Sequence, residues 1–398
     1  MDADTLSMLR TGESWFGPRS CRLDELRDLA ARRVEPADYP LAARIEHGRV
    51  PVYDCAALCR LAGEADGRRL VMAEWIAVLS RGPGIVVLKR AFGDTGPVDR
   101  ASEVFERIIA RQRESGAVSG DHFAKAGAND RIWNALEKLC LEDPEVFARY
   151  YANDMVALIS EAWLGPAYQV TSQVNVVNPG GAAQAPHRDY HLGFQSAETV
   201  AAYPVHVHLF SPMLTLQGAV AHCDMPLDSG PTLYMPFTQS YGPGYLAAQD
   251  PAICAWFEAE RVQLPLEKGD AVFFNPALLH AAGSNRSADI RRMANLLQVS
   301  SAYGRPMETV NRPRMAEALY PVLRRLDDSG ALDAEAVGRV IAASAEGYAF
   351  PTNLDRDPPI GGLAPDSQQA LMRRALAEHW EQDRFAGALR DRVDRMLS

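Results

Sequence analysis

The sequence predicts an α+β protein in which a β-rich sandwich or barrel is set between helical flanks. Three observations lead there. From Gln169 to Ser301 the chain runs in short β-branched and aromatic stretches separated by Gly, Pro, Asn and Asp, the texture of many short strands and not of alternating strand and helix. On both sides of that region, apolar residues recur at three- and four-residue spacing, the period of a helix with one buried face. At 398 residues and 47% hydrophobic, the chain can bury a sizeable core.

Taken in order, residues 1–83 read as a helical N-terminal extension, with Leu23–Arg32, Ala56–Ala62 and Leu70–Leu79 as its periodic stretches. Gly82-Pro83-Gly84 breaks the pattern, and Ile85-Val86-Val87-Leu88 is a short β-branched run, hence a strand. Helical stretches follow over Val98–Glu114 and Pro144–Trp163, the second opening on Glu142-Asp143-Pro144, where acid and proline suit a helix start. The strand candidates are Gln169–Val177, Val205–Phe210, Leu214–Ala221, Thr232–Met235, Arg261–Pro265, Ala271–Phe274 and Arg292–Ser300. Residues 302–398 return to helix at Pro313–Leu326, Asp333–Ala343 and Ser367–Asp383, interrupted by a loop over Pro351–Pro365. The expected organisation is one domain over 1–398, with a β core and inserted helices over 84–301.

The net charge of −10 argues against a nucleic-acid surface, which needs clustered Lys and Arg. Six scattered cysteines and no secretory signal point to a reduced, cytoplasmic protein. Cys55 and Cys59 share a helical spacing, yet nothing beside them completes a zinc set. There is no run of about 18 apolar residues, so no membrane span is expected. The expected partner is a small molecule, met by a monomer or homodimer.

The chemistry concentrates in His187-Arg188-Asp189, answered about ninety residues later by His280. In an extended segment residues i and i+2 share a face, so His187 and Asp189 can converge on one ion while Arg188 points away. With a second, distant histidine they make a 2-His-1-carboxylate set, which holds Fe(II) on one side and leaves the other open. Lys268-Gly269-Asp270 is a turn that launches the apolar strand Ala271–Phe274, and that strand delivers His280. Arg291 follows eleven residues later, an arginine suited to a bidentate pair with a carboxylate.

These residues carry a resemblance. Gln184-Ala185-Pro186-His187-Arg188-Asp189, Gly230-Pro231-Thr232 with Pro236, Gly269-Asp270, His280, Asn285 and Arg291 together resemble the phytanoyl-CoA dioxygenase family of Fe(II)/2-oxoglutarate-dependent oxygenases. The match covers about a third of the chain. It implies a double-stranded β-helix, or jelly roll, with Fe(II) held by His187, Asp189 and His280. It also implies 2-oxoglutarate chelating the metal, with its distal carboxylate on Arg291, and O2 in the remaining position. Conversion of 2-oxoglutarate to succinate and CO2 would then be coupled to hydroxylation of a substrate C–H bond. Related halogenases lack the carboxylate ligand, so Asp189 favours hydroxylation or desaturation. The chain departs from the family at Pro236-Phe237-Thr238-Gln239, where members often have Pro-Gly-Ser-His, and at Ala282, where Ser is usual. Those departures weaken any transfer of substrate contacts.

Several residues admit two readings. Arg292 and Arg286 compete with Arg291, though strand alternation sends Arg292 to the opposite face. Gln173 and Asn175 share a strand face and either touch 2-oxoglutarate or satisfy hydrogen bonds inside the barrel. His206 and His208 form another i, i+2 pair that suggests a second metal, but no carboxylate accompanies them and hydrogen-bonded interior histidines are common. His191 lines the substrate pocket or serves its loop. His122 and the Arg131-Ile132-Trp133-Asn134 stretch are pocket-lining candidates. Two rival functions share the ligands: a cupin-like metal protein or isomerase without 2-oxoglutarate, and a non-catalytic jelly-roll binding module. Arg291 speaks against the first and the intact triad against the second.

Overall fold

A computed structural model describes residues 14–115, 127–359 and 361–398. Its strands are β1 (Arg44–Glu46), β2 (Val50–Asp54), β3 (Ile85–Lys89), β4 (Asn129–Ile132), β5 (Gln169–Val177), β6 (Thr215–Ala221), β7 (Leu233–Met235), β8 (Val262–Gln263), β9 (Ala271–Phe274), β10 (Leu279–Ala281) and β11 (Arg292–Ser300). The chain divides into two compact units, Met1–Arg90 with Val177–Arg292, and Ala91–Val176 with Met293–Ser398.

In the first unit, β1, β2, β3, β9 and β6 lie side by side in that order. β2 and β3 run parallel; the other pairs are antiparallel, with Val87 opposite Val272 and Ala219 opposite Val272 from the other side. The β9 run Ala271-Val272-Phe273-Phe274 is buried at every position because it is flanked on both edges and covered on both faces, which its unbroken apolar sequence allows. A second, antiparallel sheet has the order β10-β7-β8. The two sheets meet face to face through rings: Tyr234 of β7 and His280 of β10 both pack on Phe274 of β9, at centroid distances of 5.1 and 4.8 Å. The other face of the small sheet, Leu233, Met235, Leu279 and Ala281, is sealed by Leu26 from helix Leu23–Ala30 and by Trp256 and Phe257 from helix Pro251–Glu260. Facing sheets of short strands, one edge of which carries His280, make the expected double-stranded β-helix.

The second unit holds β11, β5 and β4 in that order together with helices Gly96–Glu114, Ala135–Glu142, Pro144–Tyr151, Asp154–Leu164, Arg312–Asp328, Ala334–Ser344, Gln368–Ala377 and Gln382–Met396. Alternation on β11 and β5 sorts their side chains. Asn295 and Ser172 reach the Tyr151 hydroxyl on the helix side, while Gln298 and Gln173 meet on the other.

The structure corrects several expectations. Val205–Phe210 is a helix, not a strand. Pro204 starts it, His208 turns inward to the Val200 carbonyl, and this local packing overrides the β-branched composition. The N-terminal region is not helical throughout, since Val50–Asp54 pairs with β3 and draws Arg44–Glu46 after it. The stretch Pro144–Trp163 is two helices, because Asn153 caps a new one by accepting from the Val156 N–H. Ser367–Asp383 is likewise divided between Gln368–Ala377 and Gln382–Met396. By contrast, β5, β9 and β11 span the residues expected for them. No helix among the described residues is long and apolar enough to cross a membrane.

Candidate metal centre

The centre begins with a rung of main-chain bonds. His187 N–H donates to the His280 carbonyl at 2.9 Å and His280 N–H to the His187 carbonyl at 3.1 Å; Asp189 N–H donates to the Pro276 carbonyl at 3.1 Å. Residues 187–189 therefore run extended along β10, and the alternation expected of the tripeptide holds. The turn that aims β10 is fixed by Asn275, whose side chain accepts from the Ala277 N–H at 3.0 Å and donates to the Leu79 carbonyl at 3.2 Å. The Thr238 hydroxyl then accepts from the Leu279 N–H at 2.9 Å.

On one side of this rung, three side chains converge. His280 Nε2 lies 3.3 Å from Asp189 Oδ2, His187 Nε2 lies 3.6 Å from Asp189 Oδ1, and one ligand atom from each residue falls within 4.8 Å of the others. Metal–ligand bonds of about 2.1 Å would place facial ligand atoms about 3 Å apart, so a modest contraction closes the set around one ion. The tautomers suit it. Nδ1 of His187 sits 2.9 Å from the Ala185 carbonyl and Nδ1 of His280 2.8 Å from the Leu278 carbonyl. A carbonyl can only accept, so Nδ1 carries a proton in both rings and Nε2 is the atom that each ring turns on Asp189. His280 Nε2 is buried and has no hydrogen-bond partner among the described residues, an orphaned nitrogen that a metal ion would satisfy.

Electrostatics agree. Burial opposes ionisation of Asp189, but the neighbouring His280 and His187 and a bond from Gln217 outweigh it and hold the carboxyl well below the usual range. Burial, then His280, pushes His187 down, toward the neutral form that ligates. Gln217 of β6 is the residue sequence reasoning missed: its Nε2 donates to Asp189 Oδ2 at 2.5 Å. Its signal was a lone amide in the apolar run Thr215–Ala221.

Arg188 points to the other side. It is buried, its guanidinium donates to the Thr238 and Tyr241 carbonyls, and it lies 5.3 Å from the Tyr245 ring centroid. Burial lowers its pKa to about 10, which leaves it cationic at neutral pH. Gly244 is required here, because a Cβ at that position would fall inside the Arg188 guanidinium.

The two neighbouring arginines differ sharply. Arg291 is exposed, with Nε 3.4 Å from Asn178 Oδ1. Arg292 is buried, and its Nη1 donates to the Ser229 and Gly283 carbonyls at 3.1 and 3.2 Å. Burial pushes Arg292 down to about 10, with Cys223 and Tyr234 as the groups that oppose the shift. Tyr234 stands directly across from His280 in the β7–β10 ladder. Arg286 is exposed.

Gln173 and Asn175 belong to the second unit. There Gln173 accepts from Arg131, whose guanidinium lies 4.8 Å from the Trp133 ring centroid, and Asn175 accepts from Asn129 at 3.1 Å. His191 sits two residues beyond Asp189, with Nδ1 2.8 Å from Ser211 Oγ. His206 and His208 lie on a helix, where an i, i+2 pair is about 200° apart, so they cannot share an ion. His122 lies outside the described residues.

A jelly roll with two histidines and a carboxylate converging at one edge has the architecture of a non-haem iron protein. The profile of the family "Phytanoyl-CoA dioxygenase (PhyH)" matches residues 64–293, more than half of the chain, and the chain belongs to that family. It is an Fe(II)- and 2-oxoglutarate-dependent enzyme, with O2 as the second cosubstrate. No curated protein matches the sequence. Among solved structures, it is similar to the non-heme alpha ketoglutarate dependent epimerase SnoN from nogalamycin biosynthesis, at 22% identity over 63% of this chain and 82% of that one, TM-score 0.40. The corresponding values for the carbocyclase SnoK from the same biosynthesis are 20%, 57%, 83% and 0.40. For AviO1 from Streptomyces viridochromogenes Tue57 they are 18%, 59%, 97% and 0.40. Likeness at that level carries no functional argument.

Proposed function

We propose that the protein is a hydroxylase of a small organic metabolite, acting in the cytoplasm on an unactivated C–H bond, with residues 1–398 as one catalytic domain. The observation that carries this reading is the orientation of the two imidazoles, both Nε2 atoms turned on Asp189 by carbonyls at Nδ1. His187, Asp189 and His280 are the Fe(II) ligands. Bound iron with 2-oxoglutarate supplies the activation of O2 and the oxidising power; the chain supplies ligands, orientation and exclusion of water. Asp189 fills the third protein position, which argues for oxygen transfer over halide transfer. Gln217 donates to Asp189 Oδ2, the oxygen nearer His280, and restrains the carboxylate.

The anchor for the distal carboxylate of 2-oxoglutarate is Arg292, where sequence spacing had pointed to Arg291. What supports Arg292 is burial without a carboxylate partner among the described residues, since its bonds go to two main-chain carbonyls. A buried cation in that state is costly and calls for an anion. Tyr234, across from His280, sits beside it. The six cysteines, none of them in a disulfide, accord with a reducing compartment.

The test is anaerobic titration with Fe(II) and 2-oxoglutarate, followed by succinate formation in air. Asp189→Ala and His280→Ala should each abolish succinate formation and weaken iron binding while preserving the circular dichroism of the fold. Undiminished turnover in either variant refutes the ligand assignment.

A further inference from the structure

The segment that follows Asp189 has three properties that the iron chemistry does not require. Its 25 residues, 190–214, hold one formal charge, Glu198, in a chain that is 23% charged. It exposes large apolar side chains: Phe194, Tyr203, Leu209, Phe210 and Met213 are each 41–58% exposed. Single exposed apolar residues need no explanation, but five within twenty positions next to a reactive centre do. Finally, the chain leaves Asp189 through Tyr190 and His191 with φ of +66° and +42°, left-handed values that side chains with a Cβ adopt only at a cost. This turn returns His191 to Ser211, closing the neck of the segment with a 2.8 Å contact.

Polar groups collect at that neck. Ser211 is buried, and the buried Tyr245 hydroxyl sits beside it without a well-formed hydrogen bond. The nearby cation, Arg188, lies against the Tyr245 ring with its guanidinium engaged by the Thr238 and Tyr241 carbonyls.

We propose that residues 190–214 form the substrate-recognition face of the enzyme. The molecule it receives is neutral, with a broad apolar body that lies on Phe194, Leu209 and Phe210 and a hydroxyl or carbonyl group taken by His191, Ser211 and Tyr245. Among the described residues of this face a carboxylate or phosphate would meet no available cation, whereas a neutral polar group completes the bonding of the Tyr245 hydroxyl. The inference rests on the triad being the oxidising centre, since that is what gives the adjacent face a substrate.

Equilibrium dialysis of the full-length, metal-free protein tests it with three probes of one shape: 2-naphthol, 2-naphthoate and naphthalene. The expected order is 2-naphthol bound at least about tenfold more tightly than 2-naphthoate, the penalty of an unpaired charge. His191→Ala should weaken 2-naphthol about tenfold and leave naphthalene unchanged, and His191→Gln should recover most of that loss. Phe210→Ser should weaken both 2-naphthol and naphthalene. Equal or tighter binding of 2-naphthoate, or wild-type affinities in both His191→Ala and Phe210→Ser, overturns the proposal. So does sedimentation in which Phe210→Ser converts a dimer to a monomer with 2-naphthol binding unchanged, because the face is then a subunit contact. The probes are bound without metal, so failure here leaves the iron reading standing, and failure of the triad variants leaves probe binding as it was.

Discussion

Replacing Arg292 with Met removes a buried cation whose bonds, as the structure stands, are to the Ser229 and Gly283 carbonyls. If 2-oxoglutarate closes its distal carboxylate on that guanidinium, two charge-assisted hydrogen bonds of about 1.5–3 kcal/mol each are lost. The sum, about 3–6 kcal/mol, corresponds to a Kd raised by about 10² to 10⁴. The consequence for stability is equally specific. At a concentration of 100 times the wild-type Kd, 2-oxoglutarate stabilises the metal-loaded protein by about 2.7 kcal/mol; in Arg292→Met, with Kd raised a hundredfold, that falls to about 0.4 kcal/mol. Arg291→Met should change Kd by less than about threefold, since the Arg291 side chain is exposed. The assay is anaerobic titration of Fe(II)-loaded protein with 2-oxoglutarate, with thermal unfolding as the second readout. Wild-type affinity in Arg292→Met together with a hundredfold loss in Arg291→Met would refute the reasoning and restore the arginine that spacing selects. Arg292→Lys separates charge from geometry: a lysine keeps the cation but not the planar fork, so its Kd should lie between wild type and Met.

Further tests follow from other contacts. Gly244→Ala drives a methyl into the Arg188 guanidinium, and the cost of displacing a buried, hydrogen-bonded cation should lower stability by about 3–5 kcal/mol in chemical denaturation; a loss under about 1 kcal/mol would show that Arg188 can move aside. Gln217→Leu frees one Asp189 oxygen, and iron affinity should drop about 10- to 100-fold, read by metal-buffer competition. Burial raises the pKa of Glu308 despite the bond it accepts from the Asn134 N–H. A carboxyl raised in the folded state stabilises most below its unfolded pKa and loses that contribution as pH climbs to the folded value, so Glu308→Gln should flatten stability against pH across the mildly acidic range. An unchanged pH slope in denaturant titrations would remove Glu308 as its source.

How much of this the sequence discloses depends on the kind of signal. Alternation in His187-Arg188-Asp189 is local, and the main-chain rung with His280 realises it. The runs that became β5, β9 and β11 are long or wholly apolar, so their strand character needs no tertiary context. Val205–Phe210 shows the opposite, because a run with two valines and a phenylalanine forms a helix once Pro204 starts it and His208 finds a carbonyl. The arginine question turns on parity. Counting eleven residues from His280 reaches Arg291, but only the register of the strand tells which of two adjacent side chains turns inward, and that is Arg292. Gln217 shows in the sequence only as a lone amide in an apolar run, and its partner, 28 positions away in the extended segment after His187, is not legible there.

The rung that joins His187 to His280 also bears on which ions the site tolerates. Both imidazoles are held twice, through their own main-chain pair and through a carbonyl at Nδ1, so they have less freedom to adjust than the carboxylate when the ion changes size or preferred geometry. The carboxylate is the compliant member, restrained at one oxygen by an amide that can follow it. With His187, Asp189 and His280 as the proposed ligands, exchange of iron for manganese, cobalt or zinc would be accommodated chiefly at Asp189.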